Sequence, residues 1–165
     1  LLSFERASGT DVSASGSRID LNVLIANTVS AFEQNHPERN LKVTPDLPDE
    51  SLFVQADQTM LQEAMLNIFS NSLVHGGPGP RQIWVTLRKS GAATAEIVIQ
   101  DDGVGIAEDR HIEALSRFSQ AGGGPGSGLG LAIAARVLKN HGGQLSILPS
   151  ARGAAIKLSL PLPGT

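Results

Sequence analysis

The sequence contains no cysteine, so neither a disulfide framework nor a thiolate metal site is open to it. Tyrosine is missing as well, and the five Phe and single Trp are scattered, which leaves no aromatic platform on which bases could stack. A basic excess is also absent: Lys and Arg number 13 against 16 Asp and Glu, for a formal net charge of −3. Phosphate-backbone binding usually shows as the opposite balance, so a nucleic-acid partner is not expected. No apolar run approaches the ~20 residues needed to cross a bilayer, and no basic region followed by a signal-like apolar stretch opens the chain. What remains is a soluble chain of 165 residues, long enough to bury one ordinary core without staples.

Hydrophobic periodicity organises that length. Leu1 to Ala7 reads as the end of a helix, and the Ser/Gly-rich stretch from Ser8 to Ser17 as a linker, so that residues 1–17 precede a domain over 18–165. Leu21, Leu24, Ile25, Thr28 and Phe32 recur at helical spacing behind Asp20, a suitable N-cap, and stop before Pro37. Short extended pieces are expected at Leu41 to Thr44 and Leu52 to Gln55, with a turn from Pro45 to Pro48 between them. Asp57 then caps a second helix over about 57–75. Gln82 to Leu87 and Ala95 to Gln100 alternate as two antiparallel strands joined near Ser90-Gly91. A third helix follows from about Gly128 to Asn140, with Gly142 at its C′ position, and strands near Gln144 to Leu148 and Ala154 to Leu160 close the chain. This order predicts an α+β fold: a two-layer sandwich with a mixed, mostly antiparallel sheet of about five strands packed on three helices.

Two glycine clusters carry the chemistry. Asp101-Asp102-Gly103-Val104-Gly105-Ile106 puts a carboxylate at a strand end beside residues that let backbone approach a ligand. Gly126-Ser127-Gly128-Leu129-Gly130-Leu131 opens a helix whose N–H groups suit phosphate. In the second helix, Asn67 and Asn71 stand four residues apart, on one face. Their neighbours are apolar, so two amides there need partners: either nearby backbone, or a hard cation such as Mg²⁺ that takes neutral oxygen ligands and substrate phosphates.

These segments together resemble the nucleotide boxes of the GHKL ATPase superfamily. Leu66-Asn67-Ile68-Phe69-Ser70-Asn71-Ser72 is similar to its asparagine box, and the two glycine clusters to its first and second glycine boxes, in matching order and interval. Within that superfamily the pattern is similar to the catalytic, ATP-binding domain of bacterial sensor histidine kinases, including His141-Gly142-Gly143 after the third helix. The resemblance covers about Ile19 to Pro161, and it implies a Bergerat-type fold with ATP and Mg²⁺ as cofactors. It also implies roles. Asp101 would accept the adenine amine, Gly103 and Gly105 would turn tightly beside the base with Ile106 following, and Asn71 would ligate Mg²⁺. Asn67 would lie by the γ-phosphate as the catalytic position. An amide is a poor base, which fits transfer to a protein side chain better than hydrolysis. Ser127, Gly128, Leu129, Gly130 and Leu131 would cradle phosphate. Residues about 106–126 would form the ATP lid, with Phe118 packing it and Gly122, Gly123 and Gly124 as its hinge. A core Phe and a passive loop are the alternatives for these last two.

The implied partners are the dimerisation domain of the same kinase, whose His accepts the phosphoryl group, and a response regulator. The acceptor His lies outside this chain, because none of His36, His75, His111 and His141 has the helical setting of that site. Leu1 to Ala7 resembles the tail of the dimerisation helix. The piece itself is expected to be a cytoplasmic monomer, and the parent a homodimer anchored in the inner membrane. The pattern also breaks. Val74 and Gln120 stand where many such kinases carry a cation, which predicts weak nucleotide affinity or compensation by Arg110, Arg117 or His75. His75 is equally readable as a helix-end residue. Alternatives from other classes are a GHKL serine kinase of the anti-sigma type and a degenerate nucleotide-binding interaction module.

Overall fold

A computed structural model of the chain describes residues 16–37, 40–75, 81–106 and 129–163, with the side chains at 74–75 and 129–130 outside that description. Among the described residues the three expected helices form. Helix α1 (Leu21–Gln34) begins where the Asp20 carboxylate accepts the Val23 N–H at 3.2 Å, satisfying an otherwise unpaired first-turn donor. It buries Leu21, Leu24, Ile25, Thr28, Val29 and Phe32. Thr28 tolerates full burial because its hydroxyl donates to the Leu24 carbonyl at 2.7 Å. Helix α2 (Gln58–His75) is capped by Asp57, whose carboxylate accepts the Met60 N–H at 3.0 Å. Helix α3 (Leu129–Asn140) ends in a Schellman arrangement: Gly142, at φ +78°, donates to Lys139 at 3.0 Å, and Gly143 donates to Leu138 at 2.8 Å.

Seven strands accompany them. β2 (Leu41–Asp46), β4 (Arg81–Ser90), β5 (Thr94–Asp101), β6 (Gln144–Leu148) and β7 (Ala155–Pro161) form one sheet in the order β2-β4-β5-β7-β6. Only the β2–β4 pair is parallel; the other pairs are antiparallel. This is the mixed sheet that the alternation predicted. One face of the sheet is apolar. Val85, Ile99 and Ile156 lie in register across β4, β5 and β7, and Leu87, Ile97 and Leu158 form the next row, all of them buried. They share a single core with the apolar stripes of the three helices. The opposite face is polar, with Lys157 and Glu96 paired at 3.6 Å and Trp84 partly exposed.

Two local expectations are corrected. Strand β2 runs through Pro45 to Asp46, so the turn begins later than Pro45. At the sheet edge a proline nitrogen can point away from the ladder without costing a bond, and β2 is an edge strand. Ser17–Asp20, read as the last linker residue and a cap, forms strand β1, paired antiparallel with β3 (Phe53–Ala56) from Ser17↔Ala56 to Asp20↔Phe53. Four residues show no readable period, and the partner strand is remote in sequence. The β4–β5 hairpin matters most for the site. Its register, fixed by the turn at Gly91 (φ +64°), runs from Ser90↔Thr94 to Ile83↔Asp101 and delivers Asp101 at the strand's end.

Candidate nucleotide site

Asp101 closes β5 with its side chain nearly buried, at 6% exposure. One carboxylate oxygen, Oδ1, accepts the N–H groups of Gly103 at 2.9 Å and Ala154 at 3.0 Å. The other, Oδ2, accepts the Ser72 hydroxyl of α2 at 2.7 Å. An ionised carboxylate offers about four lone-pair positions and no donor. Three are used here, so Oδ2 retains one acceptor position, which suits an amine and rejects a carbonyl. The chain around Asp101 is closely nested. Gly105 has φ +81°, and a Cβ there would lie 2.7 Å from the Gly153 carbonyl oxygen. Gly153 has φ +70°, and a Cβ on it would come within 2.6 Å of Asp101 Oδ1. Neither position accepts a side chain without rearrangement, which is the physical content of glycine at both.

The neighbouring aspartate has a different task. Asp102 exchanges bonds with Gln82, its N–H donating at 3.2 Å and its carboxylate accepting at 3.0 Å, so it extends the hairpin ladder. Its oxygens also lie 3.5 Å from the buried Arg81 and 4.0 Å from Arg152, whose side chain is largely exposed. Of two adjacent carboxylates, one is thus directed to α2 and the other to β4.

Asn67 and Asn71 lie one turn apart on α2, both partly exposed, beside a stripe of the buried Ala64, Met65, Ile68, Phe69 and Leu73. Among the described residues neither amide has a hydrogen-bond partner, so the backbone-bonded alternative weighed for them is not realised there. Two neutral oxygens that no protein donor claims, on the helix that also reaches Asp101, fit the needs of a phosphate-bound Mg²⁺. Helix α3 is described from Leu129, inside the second glycine cluster, and the first N–H groups of a helix lack intrahelical acceptors. Leu131 is 1% exposed and belongs to the core, which leaves only its backbone for ligand contact; Ile106 packs partly buried against that core. Ser127, Gly128, Phe118, Gly122, Gly123, Gly124, Arg110, Arg117, Gln120 and the His75 side chain fall outside the described residues, as do the expected lid and N-terminal helix tail.

Two contributors were missed by sequence reasoning. Ser72 stood inside the asparagine box without a role, although a Ser on the buried side of a helix needs an acceptor. Gly153 lies in the short loop between the last two strands, and its turn composition could have drawn attention to it. His141 needs no metal: Nδ1–H donates to the Val137 carbonyl at 2.8 Å and Nε2 accepts the Asp57 N–H at 3.1 Å, tying the end of α3 to the start of α2. No cluster of His, Asp and Glu suited to a metal ion occurs among the described residues.

A strand-end carboxylate with an acceptor position to spare, two amides without partners among the described residues and a helix beginning within a glycine cluster fit an ATP-binding domain. The comparisons agree. The profile of the histidine kinase-, DNA gyrase B- and HSP90-like ATPases matches residues 56–164. The chain is 30% identical over 170 aligned positions to the sensor-like histidine kinase SenX3 of Mycobacterium tuberculosis, covering 98% of this chain and 40% of that relative. The solved structure of the mycobacterial sensor histidine kinase MprB superposes with a TM-score of 0.75 at 28% identity, covering 91% of this chain and 99% of that one. Histidine kinase ThkA in complex with the response regulator protein TrrA shares the fold, with a TM-score of 0.75 at 21% identity over 90% of this chain and 42% of that one. The chain belongs to this ATPase family, as a catalytic ATP-binding domain of the histidine-kinase type. It spans 40% of the length of the SenX3 relative.

Proposed function

We propose that this domain binds Mg·ATP and passes the γ-phosphoryl group to a histidine on the dimerisation domain of a parent kinase, from which it moves to an aspartate of a response regulator. The observation that carries the reading is the juxtaposition on α2 of two amides without protein partners and, one residue further, the serine bonded to Asp101. The base end and the phosphate end of a nucleotide are thereby served by one helix.

In this reading Asp101 accepts the adenine amine and Gly105 brings backbone beside the base. Asn71 would supply an oxygen ligand to Mg²⁺, whose chemistry there would be charge neutralisation at the phosphates. Asn67 lies at the γ-phosphate and, being an amide, does not activate water, so the acceptor is a side chain brought by the partner domain. The N–H groups at the start of α3, with Ser127 and Gly128 before it, hold phosphate. Gly103, Ile106 and His75 complete the pocket, and residues 106–126 cover it through Phe118 and Gly122 to Gly124. The residues before β1 would lead in from the dimerisation helix, and the domain would begin with β1 at Ser17. The response-regulator partner is supported by the ThkA–TrrA complex, a protein of the same fold. Among the described residues no helix is long and apolar enough to cross a membrane. By its likeness to sensor histidine kinases we read the domain as a cytoplasmic monomer, and a homodimeric parent as carrying any inner-membrane anchor.

The test is transfer of label from γ-labelled ATP to a separately supplied histidine kinase dimerisation domain. Acid-labile, alkali-stable label on that domain, lost in Asn71→Ala, is expected. Label released only as inorganic phosphate would contradict the reading.

A further inference from the structure

Ser72 occupies a buried position of α2, at 6% exposure, between the buried Phe69 and Leu73 in sequence. A hydroxyl there requires an acceptor. It finds one on a different element, donating to Asp101 Oδ2 at 2.7 Å. The bonds to Oδ1 both come from backbone, at 2.9 and 3.0 Å, and two bonds to a single oxygen let a carboxylate pivot about it. A third bond, to the second oxygen, fixes the plane.

We infer that Ser72 is a positioning residue for base recognition: by holding Oδ2 of Asp101, it aims that oxygen's remaining lone pair at the exocyclic amine of a purine. It thereby sets the preference for adenine over a purine bearing a carbonyl at the same place. The inference rests on the ATP reading of the site and adds to it a determinant of nucleotide choice. Ser72 immediately follows Asn71, so the proposed metal ligand and the support of the base reader are consecutive residues of one helix. Any movement of this turn of α2 is felt at both ends of the nucleotide.

The experiment is calorimetric titration of the whole 165-residue chain with non-hydrolysable adenosine and inosine triphosphate analogues. The unaltered chain prefers the adenosine analogue. Ser72→Ala weakens adenosine binding about five- to ten-fold, the size of one ordinary net hydrogen bond, and leaves inosine binding unchanged. Ser72→Cys keeps the volume with only a weak donor, and narrows the preference in the same way, so the question stays answerable if the alanine variant does not fold. In an Asp101→Asn background, Ser72→Ala changes the preference no further. A Ser72→Ala chain that keeps the full preference, or that loses both ligands equally, overturns the inference and leaves Ser72 a packing residue. An unaltered chain with no preference for adenosine instead defeats the reading of Asp101, and this inference with it.

Discussion

Asp101 is held by three donors, which leaves one acceptor position for the proposed contact to adenine. Asp101→Asn replaces one oxygen with an NH₂ that faces donors, so it both repels an amine and leaves a backbone or hydroxyl donor unmatched. Adenine nucleotide affinity should fall by about ten- to a hundred-fold on these magnitudes, as read by titration. Gly153 is the second sensitive residue. At φ +70°, with the Asp101 backbone carbonyl and behind it Oδ1 in the path of a Cβ, Gly153→Ala combines backbone strain with a steric overlap. A loss of about 1–3 kcal/mol in urea unfolding is expected. It should also weaken nucleotide binding, because the Cβ overlaps first with the Asp101 backbone carbonyl, so that relief shifts the end of β5 that carries the carboxylate. A stability change without any affinity change would show that the loop relaxes away from the site.

At the scale of elements, the packing of α2 against α3 depends on a polar tie as well as on apolar burial. His141 bridges the last turn of α3 and the N-cap of α2 through both ring nitrogens. His141→Ala should cost about 1–3 kcal/mol of stability, since it strands the Asp57 N–H, while the Val137 carbonyl keeps the backbone N–H of residue 141, with urea unfolding as the measurement. Most elements were legible because their signals are local. Asp20 and Asp57 cap as their side chains dictate, Gly142 takes the left-handed C′ position, and the alternation in β4 and β5 matches their buried faces. Strand β1 was illegible because its pairing with β3 is a tertiary fact, and the end of β2 because a proline is acceptable only once the strand is known to be an edge. For the site, the residue types and their spacing singled out Asp101, Asn67 and Asn71 as candidates. Spacing along a chain could not reveal that Ser72 and Gly153 converge on Asp101, because that convergence requires the β4–β5 register and the β6–β7 loop together.

For the whole molecule, a single core carries both layers, and the ligand-facing residues sit on its rim. Phe69 joins the two regions: it is fully buried, stacks 5.1 Å from Phe32 of α1, and lies between Asn67 and Asn71 on α2. Phe69→Ala should cost about 3–5 kcal/mol, lowering the unfolding midpoint and nucleotide affinity together. In the proposed function α2 and the end of β5 form one pocket for Mg·ATP. The most direct measurement is calorimetric titration with a non-hydrolysable ATP analogue, with and without Mg²⁺, on the unaltered chain, Asn71→Ala and Asp101→Asn. The account predicts binding that Mg²⁺ strengthens in the unaltered chain, a Mg²⁺ effect abolished by Asn71→Ala, and adenine selectivity abolished by Asp101→Asn. Binding in which Mg²⁺ strengthens Asn71→Ala as much as the unaltered chain, or no binding at millimolar analogue, would contradict it.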